Sequence, residues 1–296
     1  KPKTNINMSD LIYFIFNSKD SQPLENLIPD QKPLFKIYLF DFNDDNIRKY
    51  SNNNIYNLNG LTNNGEYWSR ECKIIRKSTE GKGQIIFEIA SITSHKKGDY
   101  IGIFGDDILI RVSDLNKAIT IAKKKSFASF QPSLSRSSDF KFGFTTNAHS
   151  RKIFPMFNKY RTVPWVDIMM SIMKSELLIS SIPFLRNNIS SRGLEQFVFP
   201  MVSITHGISG KHAVIDASIA TRLRDMETDG KIYSNGMTAY QEFLNVKKDC
   251  IDYLNKRGIN WQKNKKLYAL FNNRDDKNLK KLIIYIIKLF LMVIKN

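Results

Sequence analysis

Cysteine and histidine are scarce in this chain of 296 residues, which contains 2 Cys and 4 His. Cys72 and Cys250 lie far apart, so they supply neither a disulfide framework nor the close spacing of zinc ligands. The histidines form no HExxH motif, which argues against a zinc hydrolase. The sequence also lacks RNP, zinc-finger and helix-turn-helix signatures and repeats of solenoid length. It is typical of a globular protein whose chemistry depends on other residue types.

Acidic residues are few relative to basic ones. The chain has 28 Asp and Glu against 45 Lys and Arg, which gives a formal net charge of +17. This charge favours an anionic partner, such as a phosphorylated substrate, an acidic membrane surface or a nucleic acid, although a Lys- and Asn-rich composition alone also produces it. The apolar run at 8–16 lacks the basic leader and cleavage site of a signal peptide, so we expect a cytoplasmic protein.

Short apolar runs that alternate with helical patterns indicate an α/β fold. Strands are predicted at 11–16, 35–40, 99–107, 127–134 and 213–216, and helices at 84–94 and 115–125. Ser113 or Asp114 is the expected N-cap of the second helix. The Asn-rich stretch 43–65 is expected to be irregular, and within 165–178 the residues Trp165, Ile168, Met169 and Ile172 fall on one helical face. The alternation predicts a mostly parallel central sheet with helices on both faces.

We expect one main domain over 1–260, with a Rossmann-like nucleotide-binding half at about 8–135 and an acceptor and catalytic half at about 136–260. A basic tail follows at 261–296. Its stretch 279–295 is apolar except for lysines, which recur at seven-residue steps from Lys281. On a helix this pattern gives a basic stripe beside a wide apolar face, which favours an interfacial helix on an anionic membrane. A helix packed on the domain or on a partner would show the same pattern.

The apolar run at 99–107 ends in two adjacent carboxylates, Asp106 and Asp107. A buried strand that delivers acids at its carboxyl end presents charge to the ligand crevice of an open α/β sheet. Because neighbouring carboxylates repel each other, a metal ion, a metal-bound phosphate or sugar hydroxyls would have to stabilise them. Solvated acids at a strand-to-turn junction are the alternative.

Four further short motifs follow the acidic pair in order. They are Ser129-Phe-Gln-Pro-Ser-Leu134, Trp165-Val-Asp-Ile-Met169, Gly193-Leu-Glu195 and Val214-Ile-Asp-Ala217. Together with Phe104-Gly-Asp-Asp107 they resemble, at comparable spacing, the landmarks of a little-characterised family of plant and bacterial proteins similar to GT-A-type glycosyltransferases. The resemblance extends over about 84–222, roughly half the chain. It implies a GT-A-like fold and a nucleotide-sugar donor.

The resemblance also implies roles for the acidic pair. In GT-A enzymes such acids hold a divalent metal, Mn²⁺ or Mg²⁺, on the donor diphosphate. Asp107 would face the metal, and Asp106 would face the metal or the hydroxyls of the ribose and sugar. Two departures leave the need for a metal open: Gly105 stands where the family has an acid, and Arg222 stands where many such enzymes have a ligating His. Either His206 or His212 would take the place of that ligand, or Arg222 would give positive charge to the diphosphate instead.

Glu195 is the candidate catalytic base. It would lie in the first turn of a helix, where the base of inverting GT-A enzymes removes the proton of the acceptor hydroxyl. Partial burial would have to raise its pKa, and the neighbouring Arg192, a candidate acceptor-binding residue, would oppose that shift. A glutamate favoured by the helix dipole is the structural alternative.

The remaining candidates divide between donor and acceptor. Asn17 and Asp41 close the first two predicted strands, where base and ribose contacts occur in such folds. Lys82, between two glycines at a helix start, suits a phosphate. Trp165 and Asp167 would form an acceptor wall, although packing in the core explains Trp165 equally well.

These observations predict an inverting glycosyltransferase that acts on a bacterial glycan such as a surface-polysaccharide precursor, free or lipid-linked, at the inner face of the cell membrane. No specific nucleic acid is expected as a partner. Three alternatives stay open: an inactive GT-A-like protein that binds carbohydrate or acts as a scaffold, a basic nucleic-acid-binding protein, and a metal-dependent nuclease or phosphotransferase.

Overall fold

The computed structural model describes residues 9–19, 21–42, 54–62, 64–93, 96–138, 143–146, 159–224 and 230–272. One sheet contains 11 strands: β1 (Leu11–Phe16), β2 (Leu27–Ile28), β3 (Lys36–Asp41), β4 (Ile55–Leu61), β5 (Tyr67–Arg76), β6 (Tyr100–Phe104), β7 (Ile108–Arg111), β8 (Ser129–Leu134), β9 (Arg161–Val163), β10 (Met170–Lys174) and β11 (His212–Arg222).

Helices accompany the sheet. They are α1 (Lys82–Ile92), α2 (Val112–Lys125), α3 (Ser175–Ser180), α4 (Ile182–Leu185), α5 (Phe199–Thr205), α6 (Ala239–Lys256) and α7 (Lys265–Asn272), with a 3₁₀ turn at Gly143–Thr145 and a π-helical turn at Leu194–Val198. The chain divides into two compact units, Lys1–Cys250 and Ile251–Asn296. The predicted boundary at 260 stays a prediction. Within the described residues, no helix is both long and apolar enough to cross a membrane.

Strand β1 lies in the interior of the sheet, and all six of its residues are buried. Its continuous apolar sequence is typical of a parallel strand covered on both faces. It lies between β3 and β6 and runs parallel to both. The chain moves outward from β1 to β3 and β5, and then returns through α1 to β6 on the other side of β1. The strand order therefore reverses at β1 and β6, which makes the carboxyl ends of these two strands the expected ligand crevice.

The second half of the sheet is built on β8, β10 and β11. β10 runs antiparallel between β6 and β8, and β8 pairs in parallel with β11. Pro132 lies inside β8 and has no N–H for the ladder. The register with β11 shifts between Ile215, which pairs with Pro132, and Ile219, which pairs with the next residue of β8. This irregularity accommodates the proline in the sheet interior.

The predicted fold class is confirmed: the chain has a mixed α/β architecture whose central strands run mostly in parallel. The capping prediction was wrong, because α2 begins at Val112 with Arg111 at the N-cap and no capping side chain. Ser113 instead donates its backbone N–H and its hydroxyl to Asp30, at 2.9 and 2.6 Å.

Two further predictions from periodicity were wrong. Residues 165–178 do not form one helix, because their buried centre, Met170–Lys174, pairs as strand β10 with neighbours on both sides. A short apolar run fits either period, and tertiary pairing decides between them. The stretch 43–65 contains β4, which pairs antiparallel with β5. Most of the predicted basic tail, at 273–296, lies outside the described residues.

Candidate functional site

A cleft of about 430 Å³ opens where β1 and β6 end. Its walls combine the end of β6 with the start of α1, the loop before β10, the segment that carries the π-helical turn and the end of β11. The described lining residues include most of the predicted site: Lys82, Asp106, Asp107, Asp167, Arg192, Glu195 and Arg222. Five parts of the chain that are far apart in sequence thus contribute charged side chains to one crevice at the switch point.

Two glycines place Lys82 in the cleft. A Cβ on Gly81 would lie 2.4 Å from the carbonyl oxygen of Ile189, and one on Gly83 would lie 2.4 Å from the carbonyl oxygen of Asn188. Only glycine permits this approach, in which the N–H of Gly83 also donates to the carbonyl of Ile189 at 2.8 Å. The start of α1 therefore packs directly on the loop that leads to Glu195.

The Lys82 ammonium group has only a weak hydrogen-bond acceptor among the described residues. Its only hydrogen bond within the described residues goes to the thioether of Met169, at 3.4 Å. Burial lowers the pKa of Lys82 to about 8, while the carboxylates of Asp107 and Asp167 oppose the shift. A partly desolvated cation with a weak acceptor as its partner is suited to an anionic ligand.

The acidic pair is held by two arginines. Asp107 is 4% exposed and accepts a hydrogen bond from Arg222 Nε at 2.9 Å. Asp106 forms an ion pair with Arg224 at 3.0 Å, and burial raises the pKa of its carboxyl group. The second oxygen of Asp107, Oδ1, is buried without a hydrogen-bond partner in the described chain. The two terminal nitrogens of Arg222 also have no partner among these residues, so they can bind two oxygens of a phosphate.

A side chain at position 105 would require Asp107 to move. A Cβ at this position would lie 2.7 Å from Asp107 Oδ1 and 3.3 Å from the terminal methyl of Met169. Glycine at 105 is therefore compatible with the observed orientation of Asp107, which occupies the space that a larger side chain would need.

A divalent metal does not fit the described donor set. Both strand-end carboxylates are engaged by arginines, and the part of the chain that the structure describes holds no cluster of three His, Cys, Asp or Glu suited to a metal. The described basic side chains that line the cleft include Lys82, Arg222 and Arg224.

Glu195 lies in the π-helical turn Leu194–Val198, close to the predicted position in a first helical turn. Its side chain is 4% exposed, and its Oε2 has no hydrogen-bond partner within the described residues. Burial raises the pKa of Glu195 to about 7, and the nearby Asp167 adds to the shift, while Arg192 and Lys82 oppose it. Desolvation thus outweighs the neighbouring cations, and the carboxylate is suited to exchange a proton near neutral pH.

Asp167 is a buried carboxylate whose charged neighbours are Lys82, Arg222 and Asp107. Its backbone N–H donates to Gln131 Oε1 at 2.5 Å, and its carboxylate accepts from the backbone N–H of Met169 at 3.0 Å. Burial raises the pKa of Asp167, and the Met169 N–H opposes the shift. One hydrogen bond thus holds its backbone and another holds its carboxylate, and the residue lines the cleft.

Three predicted residues are not among the described residues that line the cleft. Trp165 packs edge-to-face on Phe144, with ring centroids 5.5 Å apart, which fits the packing alternative. Asp41 accepts a hydrogen bond from the backbone N–H of Ser18 at 3.2 Å. Asn17 accepts one from the backbone N–H of Lys19 at 3.1 Å. These two lie at strand ends, as expected, but support local turns.

Sequence reasoning missed Arg224, Lys231 and Tyr233, which also line the cleft. Arg224 is two residues after Arg222, and side chains two residues apart on an extended chain point to the same side. This spacing was the signal that could have identified Arg224. Lys231 and Tyr233 lie in a turn-rich segment, where no motif marks them.

No protein-family model matches this chain, and no curated protein matches its sequence. Solved structures with a similar backbone include GalNAc-T7 with UDP, GalNAc and Mn²⁺, at 10% identity and a TM-score of 0.47 over 81% of this chain and 48% of that one. They also include TarS of S. aureus, residues 1–349, with UDP-GlcNAc, at 12% identity and a TM-score of 0.49 over 90% of this chain and 72% of that one. The chain thus spans about half the length of the GalNAc-T7 chain.

Proposed function

We propose that this protein is a glycosyltransferase that moves a sugar from a nucleotide-sugar donor to a glycan acceptor. One observation carries the proposal: a buried carboxylate whose Oε2 has no hydrogen-bond partner in the described chain, that of Glu195, shares a switch-point cleft with two cations, Lys82 and Arg222, that have hydrogen-bonding capacity to spare. A diphosphate supplies the anion that these cations lack, and an acceptor hydroxyl supplies a proton for the carboxylate.

The charges suit an inverting displacement. Glu195 takes the proton of an acceptor hydroxyl as its oxygen bonds to the anomeric carbon. The bond from that carbon to the diphosphate oxygen breaks, and its electron pair leaves with the nucleoside diphosphate. Lys82 and the terminal nitrogens of Arg222 neutralise the charge that develops on this leaving group. No step requires a metal, although Mn²⁺ or Mg²⁺ on the donor remains part of the test.

A donor screen tests the proposal. Thermal shift and calorimetry with UDP-, GDP- and CMP-sugars, each with and without Mn²⁺, should show stabilisation by one nucleotide class. Product analysis with that donor should then show transfer with inversion at the anomeric carbon. If no nucleotide sugar binds to the full chain, the proposal is wrong.

We also propose that the acceptor is a precursor of a bacterial surface polysaccharide and that the lysine-bearing apolar stretch 279–295 binds the inner face of the cell membrane. The seven-residue lysine spacing supports this localisation. Co-sedimentation with vesicles tests it: the full chain should bind vesicles that contain anionic lipid and not those of neutral lipid alone. Equal binding to both, or to neither, would contradict the proposal.

A second candidate is a protein that binds nucleotide sugars without transferring them. The arginine pairing of both strand-end acids favours it, because these acids are then engaged before any ligand arrives. Donor binding without transfer or hydrolysis, across the same panel and a range of glycan acceptors, would support this candidate over the enzyme.

A further inference from the structure

A buried glutamate outside the cleft makes three hydrogen bonds. Glu242, in the first turn of α6, is 2% exposed. Its Oε1 accepts from the backbone N–H of Ile189 at 3.0 Å and from the amide of Asn235 at 2.7 Å, and its Oε2 accepts from the backbone N–H of Ser190 at 2.7 Å. Neutral donors thus compensate the buried carboxylate, and both of its oxygens bind one loop.

That loop is strained and leads to Glu195. Ser191 has φ of 71°, in the left-handed region that non-glycine residues rarely adopt. Its backbone N–H is held by the side chain of Asn188 at 2.7 Å. Gly193 has φ of 87° and directly precedes the π-helical turn Leu194–Val198. Such a conformation persists only where neighbouring contacts fix it, and the bonds from Glu242 are contacts of this kind.

Two further residues of α6 contact the chain on either side of Glu195. A Cβ at Gly193 would lie 3.2 Å from the Cβ of Val246, one turn after Glu242. Phe197 packs on Phe243, with ring centroids 5.0 Å apart. Helix α6 therefore contacts the segment before Glu195 and the segment after it.

We infer that Glu242 is a positioning residue that fixes the loop at Ile189 and Ser190 so that Glu195 faces the cleft in a dry, defined orientation. This inference rests on the proposed function of Glu195 as the base. It assigns Glu242 no contact with substrate. Replacing Glu242 by Gln keeps its shape, but a carboxamide turns an NH₂ group toward one of the two N–H donors and leaves that donor unsatisfied.

The experiment compares Glu242→Gln with Glu71→Gln, in which an exposed glutamate on β5 outside the cleft is changed. We expect kcat of Glu242→Gln to fall at least about tenfold, with KM for the donor within about threefold of the original chain. The acid limb of its kcat profile should move to lower pH, because water that enters the loosened segment lowers the pKa of Glu195. The other charged groups that face Glu195 are Lys82, Asp167 and Arg192. The Glu71→Gln protein should behave as the original chain.

Asn235→Ala offers a graded second variant, because it removes one of the three bonds from an exposed turn. It should shift kcat and the acid limb in the same direction by a smaller amount. A folded Glu242→Gln protein with unchanged kcat and an unchanged acid limb would overturn the inference. If the Glu242→Gln protein does not fold, the Asn235→Ala protein decides, and an unchanged kcat and acid limb in that protein would also overturn the inference.

Failure of the proposed function gives a different result. If the original chain binds donors but transfers no sugar, the positioning of the loop is measured by hydrogen exchange of the Ile189 and Ser190 amides. These amides should exchange at least about tenfold faster in Glu242→Gln than in Glu71→Gln. Equal protection in the two variants would overturn the inference independently of activity.

Discussion

Replacing Glu195 by Gln should remove activity and add stability. Burial raises the pKa of Glu195 from 4.5 to about 7. The unfolded chain ionises near the lower value, so ionising this carboxyl group in the folded protein costs about 1.4 kcal/mol per unit of pKa difference. The contribution of this group to stability is largest below the unfolded pKa and is lost as pH rises through 7. At pH 8 the accumulated cost is about 3 kcal/mol, and at pH 5 it is about 1 kcal/mol.

The glutamine has no charge to desolvate, so the free energy of unfolding of Glu195→Gln should exceed that of the original chain most at pH 8. The carboxamide pairs its polar atoms imperfectly, which makes about 3 kcal/mol an upper bound. Urea unfolding of both proteins at pH 5 and pH 8 measures the difference. The same variant should lose about 10²- to 10⁴-fold in kcat, since a glutamine cannot accept the proton of the acceptor.

The kcat of the original chain should fall below pH 7 as Glu195 becomes protonated, to about a tenth of its plateau at pH 6. A folded Glu195→Gln protein with the original turnover would refute the role as base. A gain in stability that is equal at pH 5 and pH 8 would refute the argument from desolvation. The Glu71→Gln protein should show neither effect.

Four other changes test the charges and the packing of the cleft. Arg222→Ala should weaken donor binding at least tenfold and destabilise the fold by about 3 kcal/mol, because it leaves the buried Asp107 unpaired; calorimetry and urea unfolding measure the two effects. Donor affinity should decline as pH rises through about 8, where Lys82 loses its proton, and a Lys82→Met protein should bind weakly at every pH. Gly105→Ala should weaken donor binding and cost about 1–3 kcal/mol, since its Cβ would displace Asp107, whereas Gly230→Ala, whose Cβ meets nothing within 4 Å, should do neither. Excess EDTA should leave the rate of transfer within about twofold, and a rate that falls to background and returns with Mn²⁺ would contradict the arginine-based site.

The elements that position the site were predictable from local patterns. β1 is a continuous run of buried apolar residues, and the acids at 106 and 107 follow β6, so a ligand crevice at the carboxyl ends of the strands could be predicted before any contact was known. The sequence also indicated that glycines flank Lys82 at the start of a helix and that Glu195 lies near the start of another. Each of these signals lies within a few residues of chain, where steric and hydrogen-bonding preferences are local.

The pairings of the charged groups could not be predicted. Arg222 is 115 residues from Asp107 in sequence, and Arg224 is 118 residues from Asp106. Glu242 meets the loop at Ile189 across 53 residues. Contacts of this kind depend on how β11 and α6 pack, which no periodicity records. The same reason explains the error at 165–178. The spacing of Trp165, Ile168, Met169 and Ile172 fits a helical face, but Met170–Lys174 forms a strand because β6 and β8 pair with it on both sides.

The two departures from the family pattern concern one carboxylate. Gly105 leaves the space into which Asp107 Oδ1 points, and Arg222 binds the other oxygen of the same group. An acid at 105 would occupy that space and add a like charge, while a histidine at 222 would not supply the planar set of donors that spans a carboxylate and a phosphate. The two departures therefore act together. The glycine leaves room for Asp107 in the orientation that binds Arg222, and this contact uses only Nε, so the terminal nitrogens of Arg222 stay available in the cleft. Oδ1 itself is buried beside Gly105 and has no hydrogen-bond partner among the described residues, so the contact of Asp107 with Arg222 is what connects this carboxylate to the cleft.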